Sequence, residues 1–184
     1  MLKALLGVSL GRASALSTAW SAPVSFCLHD PKSAPRNRGA FCYNSRVSTR
    51  IDMAVLNIKT LSPDIQDAIC RKEATEYVYV GRYCSSPKFS LPASKLANPF
   101  KIGTDCSRPD SVRQYKQWLW EQIKEYLKTQ SPSPAVRELL KLIKKRLAGE
   151  EFDLVCWCAP EACHADVIEA AINWGIESGE LLPF

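Results

Sequence analysis

Phe152-Asp153-Leu154-Val155-Cys156-Trp157-Cys158-Ala159-Pro160-Glu161-Ala162-Cys163-His164 is the stretch that decides the fold. Its first half, Phe152 to Cys158, is a short apolar run with the length and content of a buried strand. An amphipathic segment from Ala165 to Ile176 follows, so the stretch marks a strand-to-helix junction. In an α/β sheet such junctions gather backbone donors and the positive end of a helix, and small-molecule sites form there. Three of the eight cysteines and one of the two histidines fall inside this junction. It is therefore the first candidate for a functional site.

Working outward, Ala54 to Lys59 has the β-branched content of a first strand, and Ser62-Pro63-Asp64 opens a short helix over 63–73. Glu76 to Arg82 is the clearest strand, closed by Gly81. Residues 83–106 form a long irregular stretch with three prolines and room for one more short strand. Ser107-Arg108-Pro109-Asp110 then caps a helix that carries Val112, Tyr115, Leu119, Ile123, Tyr126 and Leu127 at helical spacing to about residue 128. Ser131 to Pro134 breaks it. Val136, Leu139, Leu140, Ile143 and Leu147 make the next helix, ending at Gly149. Lys141, Lys144, Lys145 and Arg146 read as its solvated face. The order predicts a small α/β domain over 53–184, three-layered and Rossmann-like, with a mostly parallel sheet.

Residues 1–50 carry a net charge of +6, whereas 51–184 carry −1. The basic character of the chain thus belongs to its N-terminal segment and gives little support to a nucleic-acid-binding domain. Rich in Ser, Ala and Arg and with Asp30 its lone acid, that segment predicts a disordered, transit-peptide-like leader over 1–52. Leu2 to Trp20 can form an amphipathic helix, and mitochondria or plastids are the expected destination. Translation from Met53 would instead leave a cytoplasmic protein. No stretch approaches the roughly 18 apolar residues of a membrane span, and no membrane partner is expected.

An ordered set of short motifs runs through the domain. Gly81-Arg82, Ser94-Lys95, Asn98-Pro99-Phe100, Ile102-Gly103, Asp105 and Ser107-Arg108 form its first half. Tyr115, Trp118-Leu119, Cys156-Trp157-Cys158-Ala159-Pro160 and Cys163-His164 complete it. This set resembles the bacterial, phage and plant-type domains grouped as domain-of-unknown-function family four-three-two-six, over about residues 54–175. The resemblance implies a compact Rossmann-like domain and supplies no reaction. Ala97 and Ala165 stand where that pattern usually has Gly, which would crowd any ligand approaching the backbone.

Three readings of the cluster compete. In the first, Cys163 and His164 are catalytic: the start of the last helix depresses the Cys163 pKa, and His164 handles protons. Gly81, Arg82, Asn98, Lys101 and Cys158 then frame a small anionic ligand such as a nucleotide, with Arg82 as a bidentate contact. In the second, Cys156, Cys158, Cys163 and His164 bind zinc in a non-catalytic binding module or nucleic-acid accessory protein. Strand alternation puts Cys156 and Cys158 on one face. Against zinc, the spacing departs from C-x2–4-C, and adjacent Cys163 and His164 are expected to point apart. In the third, the cysteines merely pack, which suits Cys156 best. Position favours the first reading. It leaves the cofactor unknown, and no metal ligand is assigned.

Overall fold

The computed structural model describes residues 53–85, 90–103 and 106–181, all within the compact unit Val47–Phe184. The leader expected over 1–52, with its helix at Leu2 to Trp20, lies outside the described residues, as does Asp105.

Three short strands, β1 (Val55–Asn57), β2 (Tyr77–Tyr79) and β5 (Asp153–Cys156), form a parallel sheet in the order β1-β5-β2. Val55, Leu56 and Asn57 pair with Leu154, Val155 and Cys156, while Tyr77, Val78 and Tyr79 pair with Asp153, Leu154 and Val155. A central parallel strand is covered on both faces, which is why β5 carries no polar residue after Asp153. Val155 packs against Ile58, Ile69 and Leu91 on one face. Alternation then turns Leu154 and Cys156 to the other, where the last helix lies.

β1 is shorter than its sequence suggests. The Asn57 side chain accepts from the Lys59 N–H at 2.9 Å, and Ile58–Thr60 coils into a 3₁₀ turn. The long irregular stretch does hold the extra strand for which it has room, as one of a pair. β3 (Cys84–Ser85) and β4 (Ser90–Leu91) run antiparallel, and fully buried Leu91 joins the cluster under β5.

Helices α1 (Pro63–Arg71), α2 (Arg108–Thr129) and α3 (Pro134–Leu147) each begin with a serine cap and a proline in the first turn. Ser62, Ser107 and Ser133 accept from the N–H groups of Ile65, Asp110 and Val136. Thus α3 starts at Pro134, inside the segment that reads as a break, because Ser133-Pro134 is a cap and not a spacer. Helix α4 (His164–Ser178) buries His164, Ala165, Val167, Ile168, Ala171, Ile172 and Gly175, one continuous face.

One basic residue departs from the expected solvated face of α3. Arg146 is buried, its guanidinium 5.0 Å from the centre of the Phe152 ring, and Lys145 lies 5.9 Å from the same ring. Both stems cover the start of β5, so this end of α3 is a packing surface as much as a wet one. Trp118 lies against Tyr115 and Trp120 meets Trp174 edge-on, each pair with centroids 5.5 Å apart.

Candidate metal centre

Cys156 ends β5 with its thiol turned towards α4, and two residues on, Cys158 enters a turn in which the Glu161 N–H reaches its carbonyl at 3.1 Å. Asn57, next door on β1, fixes this turn from the side. Its amide nitrogen donates to the carbonyls of Trp157 at 3.2 Å and Ala159 at 2.5 Å. The chain then returns to start α4 with Cys163 as N-cap. Asp166 accepts from the Cys163 N–H at 3.0 Å, and the Cys163 sulfur accepts from the Ala165 N–H at 3.4 Å. A thiol here fills the role that a serine or threonine hydroxyl has in a capping box.

These local choices converge on one point. The ligand atoms of Cys156, Cys158, Cys163 and His164 all lie within 4.8 Å of one another. His164 Nδ1 is 3.6 Å from the Cys156 sulfur and 3.8 Å from that of Cys163. The expectation that Cys163 and His164 point apart is therefore overturned. Cys163 has extended backbone at φ −127° and ψ 147°, whereas His164 is already helical, and that change of direction swings both side chains inward. Cys156, read from sequence as a packing thiol, is buried at 1 % exposure but is also a member of the cluster.

The histidine is oriented from behind. Its Nε2 lies 2.9 Å from the carbonyl oxygen of Val80, just past β2. A carbonyl can only accept, so Nε2 carries a proton, and Nδ1 is the ring nitrogen that faces the sulfurs. The edge of the Tyr115 ring packs against the imidazole at 5.2 Å, while the Tyr115 hydroxyl donates to Leu96.

Without a metal, the cluster shares charge internally. Hydrogen bonds with Cys156, Cys163 and His164 hold the Cys158 thiol far below its usual pKa. Burial pulls His164 down, but its contacts with the Cys156 and Cys158 sulfurs and the Val80 carbonyl outweigh this and push it up to about 10. Cys163 is raised, through its hydrogen bonds to Cys156 and Cys158 and through burial. The depressed thiol is thus Cys158 and not Cys163, whose helix-start position is overridden by its hydrogen bonds to Cys156 and Cys158 and then by burial. Among the cluster cysteines of metal-free protein, iodoacetamide at neutral pH is expected to modify Cys158 first; peptide mapping checks the order.

The other residues expected to frame a ligand are engaged with one another and with nearby backbone. Arg82 donates from Nε to the Asn98 carbonyl at 2.6 Å and from Nη2 to the Phe100 carbonyl at 2.7 Å. Asn98 is buried, accepts from the Phe100 N–H at 2.8 Å and donates to the Ser111 hydroxyl at 3.0 Å. The Gly81 carbonyl accepts from the Ser94 N–H at 3.0 Å. Gly81, Arg82 and Asn98 thus bind the 94–100 loop to the sheet and to α2, and Lys101 is exposed. Cys158, Cys163 and His164 are brought together. Asn57 was missed, since nothing in Val-Leu-Asn-Ile points to a turn a hundred residues away.

The family model described as Domain of unknown function (DUF4326) matches residues 65–174, more than half of the chain. The chain belongs to this family. The matched span takes in all four cluster residues together with Gly81, Arg82 and Asn98, and leaves out β1 with Asn57. No curated protein and no solved structure matches this DUF4326 chain.

Proposed function

We propose that this DUF4326 domain is a zinc-stabilised α/β binding module, in which Cys156, Cys158, Cys163 and His164 hold one zinc ion. The observation that carries this is the convergence of four ligand atoms within 4.8 Å, with the histidine proton turned away onto Val80. A tetrahedral zinc site with Zn–S bonds of 2.3 Å needs sulfurs about 3.8 Å apart. The two sulfur-to-Nδ1 distances, 3.6 and 3.8 Å, support a cage of that size. Thiolates with one imidazole favour zinc over the oxygen-seeking cations.

Four protein ligands close the coordination sphere, which is the signature of a structural zinc site and leaves no position for a substrate. Cys163 and His164 are then ligands, and the catalytic roles expected of them give way. The ion supplies cross-linking: it joins the end of β5 to the start of α4, and through His164 to the chain leaving β2. The parallel β1-β5-β2 sheet, with α1 against one face of β5 and α4 against the other, supports a reduced Rossmann-like unit. An anion at the α4 start would meet the Asp166 carboxylate already capping Cys163, and Arg82 already serves two carbonyls. These contacts favour the zinc reading over the nucleotide one.

Metal analysis of the purified full chain is expected to give one zinc per chain. Cobalt substitution should give the intense visible absorption of a tetrahedral thiolate site. Protein that folds without bound metal, and takes up neither ion, overturns the reading.

A further inference from the structure

The four ligands are not equally protected. Cys156 and Cys163 are each 1 % exposed and His164 4 %, whereas Cys158 is only partly buried. Cys163 also has its sulfur hydrogen-bonded by the Ala165 N–H. A thiolate that accepts a backbone N–H is a weaker nucleophile than one without it, and a buried one is out of reach of solutes. Cys158 is thus where the cluster meets a reagent from solution.

Resting on the zinc reading above, we propose that the centre is an oxidant-sensitive latch: hydrogen peroxide attacks it at Cys158, a Cys158–Cys163 disulfide forms, and zinc leaves. The Cys158 sulfur attacks one peroxide oxygen, so that an S–O bond forms, the O–O bond breaks and hydroxide departs. The Cys163 sulfur then attacks the Cys158 sulfur, forming S–S, breaking S–O and releasing a second hydroxide. The two thiolates together lose the two electrons that peroxide gains, and two protons from the buffer turn both hydroxides into water. Cys156 and His164 alone cannot retain the ion.

Geometry selects Cys163 over Cys156 as the resolving thiol. Residues two apart on extended chain have Cα atoms about 6.6 Å apart, near the upper end of what a disulfide spans. Cys156 is also pinned in the ladder opposite Asn57. Cys158 and Cys163 instead face each other across a turn, which can tighten by the small distance a bond requires.

The test uses zinc-loaded full-length protein, hydrogen peroxide and a zinc-sensitive dye. Cleavage after Trp157 and after Glu161 puts Cys156, Cys158 and Cys163 on three separate peptides, so the linked pair names the disulfide. The expected result is one zinc released per chain, linked peptides carrying Cys158 and Cys163, and recovery of zinc binding after dithiothreitol. Cys158→His should slow release at least tenfold; if that variant does not fold, the wild-type peptide map still decides. A zinc-loaded protein that keeps its ion under peroxide, or a disulfide through Cys156, overturns the latch and leaves the zinc reading standing. Protein that never binds zinc overturns both.

Discussion

Cys156→Ser is expected to purify without stoichiometric zinc and to melt roughly 15 °C below the wild type. The magnitude separates two accounts of the same buried thiol. As a packing group alone, Cys156 replaced by the near-isosteric serine costs about 1–2 kcal/mol for a poorly satisfied hydroxyl. As a zinc ligand it carries a share of the binding free energy, which reaches about 4 kcal/mol once free zinc exceeds the dissociation constant by a thousandfold. At about 4 °C per kcal/mol for a domain of this size, the two accounts predict shifts of roughly 4–8 °C and 15 °C. A chelator sharpens the distinction. It should bring the wild type down to within about 8 °C of Cys156→Ser, the remainder being the cost of the serine hydroxyl, and leave the variant unmoved. Wild-type protein indifferent to chelation, with a small and independent effect of the serine, would make Cys156 a packing residue.

Much of the framework was legible because it depends on neighbours in sequence. Ser62-Pro63 and Ser107-Arg108-Pro109 cap helices, since a serine oxygen needs only an N–H three residues on, and Ser133-Pro134, which reads as a break, does the same. The central place of β5 fits its apolar run after Asp153, which a strand covered on both faces requires. The 3₁₀ turn at Ile58–Thr60 was hidden because β-branched content also suits a strand. The turn is set by the Asn57 side chain bonding its own neighbourhood.

The site was legible in its members but not in its geometry. Cys-x-Cys and Cys-His do not match the spacing of familiar zinc knuckles, because the intervening residues here are spent on a strand end and an N-cap rather than on a tight loop. Whether Cys163 and His164 converge depends on one backbone change between extended and helical, and adjacency in sequence argues the wrong way. Arg82 posed the opposite problem. A guanidinium past a strand end fits an anion as readily as two carbonyls, and only the path of the 94–100 loop decides what it meets.

Gly81→Ala is expected to cost about 2–3 kcal/mol, or roughly 10 °C, for a steric reason outside the metal shell. A Cβ at position 81 would overlap the Tyr79 hydroxyl and sit 2.5 Å from Cζ and 2.8 Å from Cε2. A flexible side chain could swing aside, but this one is held at its tip. The Tyr79 hydroxyl accepts from the Trp157 indole N–H at 2.7 Å and donates to the Arg82 carbonyl at 2.6 Å. Moving the ring breaks both bonds and disturbs Trp157, which sits between the first two cysteines of the cluster. The companion variant is Tyr79→Phe, which deletes the hydroxyl and unties the ring. Gly81→Ala in the Tyr79→Phe background should therefore cost at least 1 kcal/mol less than in the wild type, a coupling that thermal melts of the four proteins measure. A Gly81→Ala protein as stable as the wild type would remove the packing explanation, and the need for glycine there would return to the close approach of a ligand.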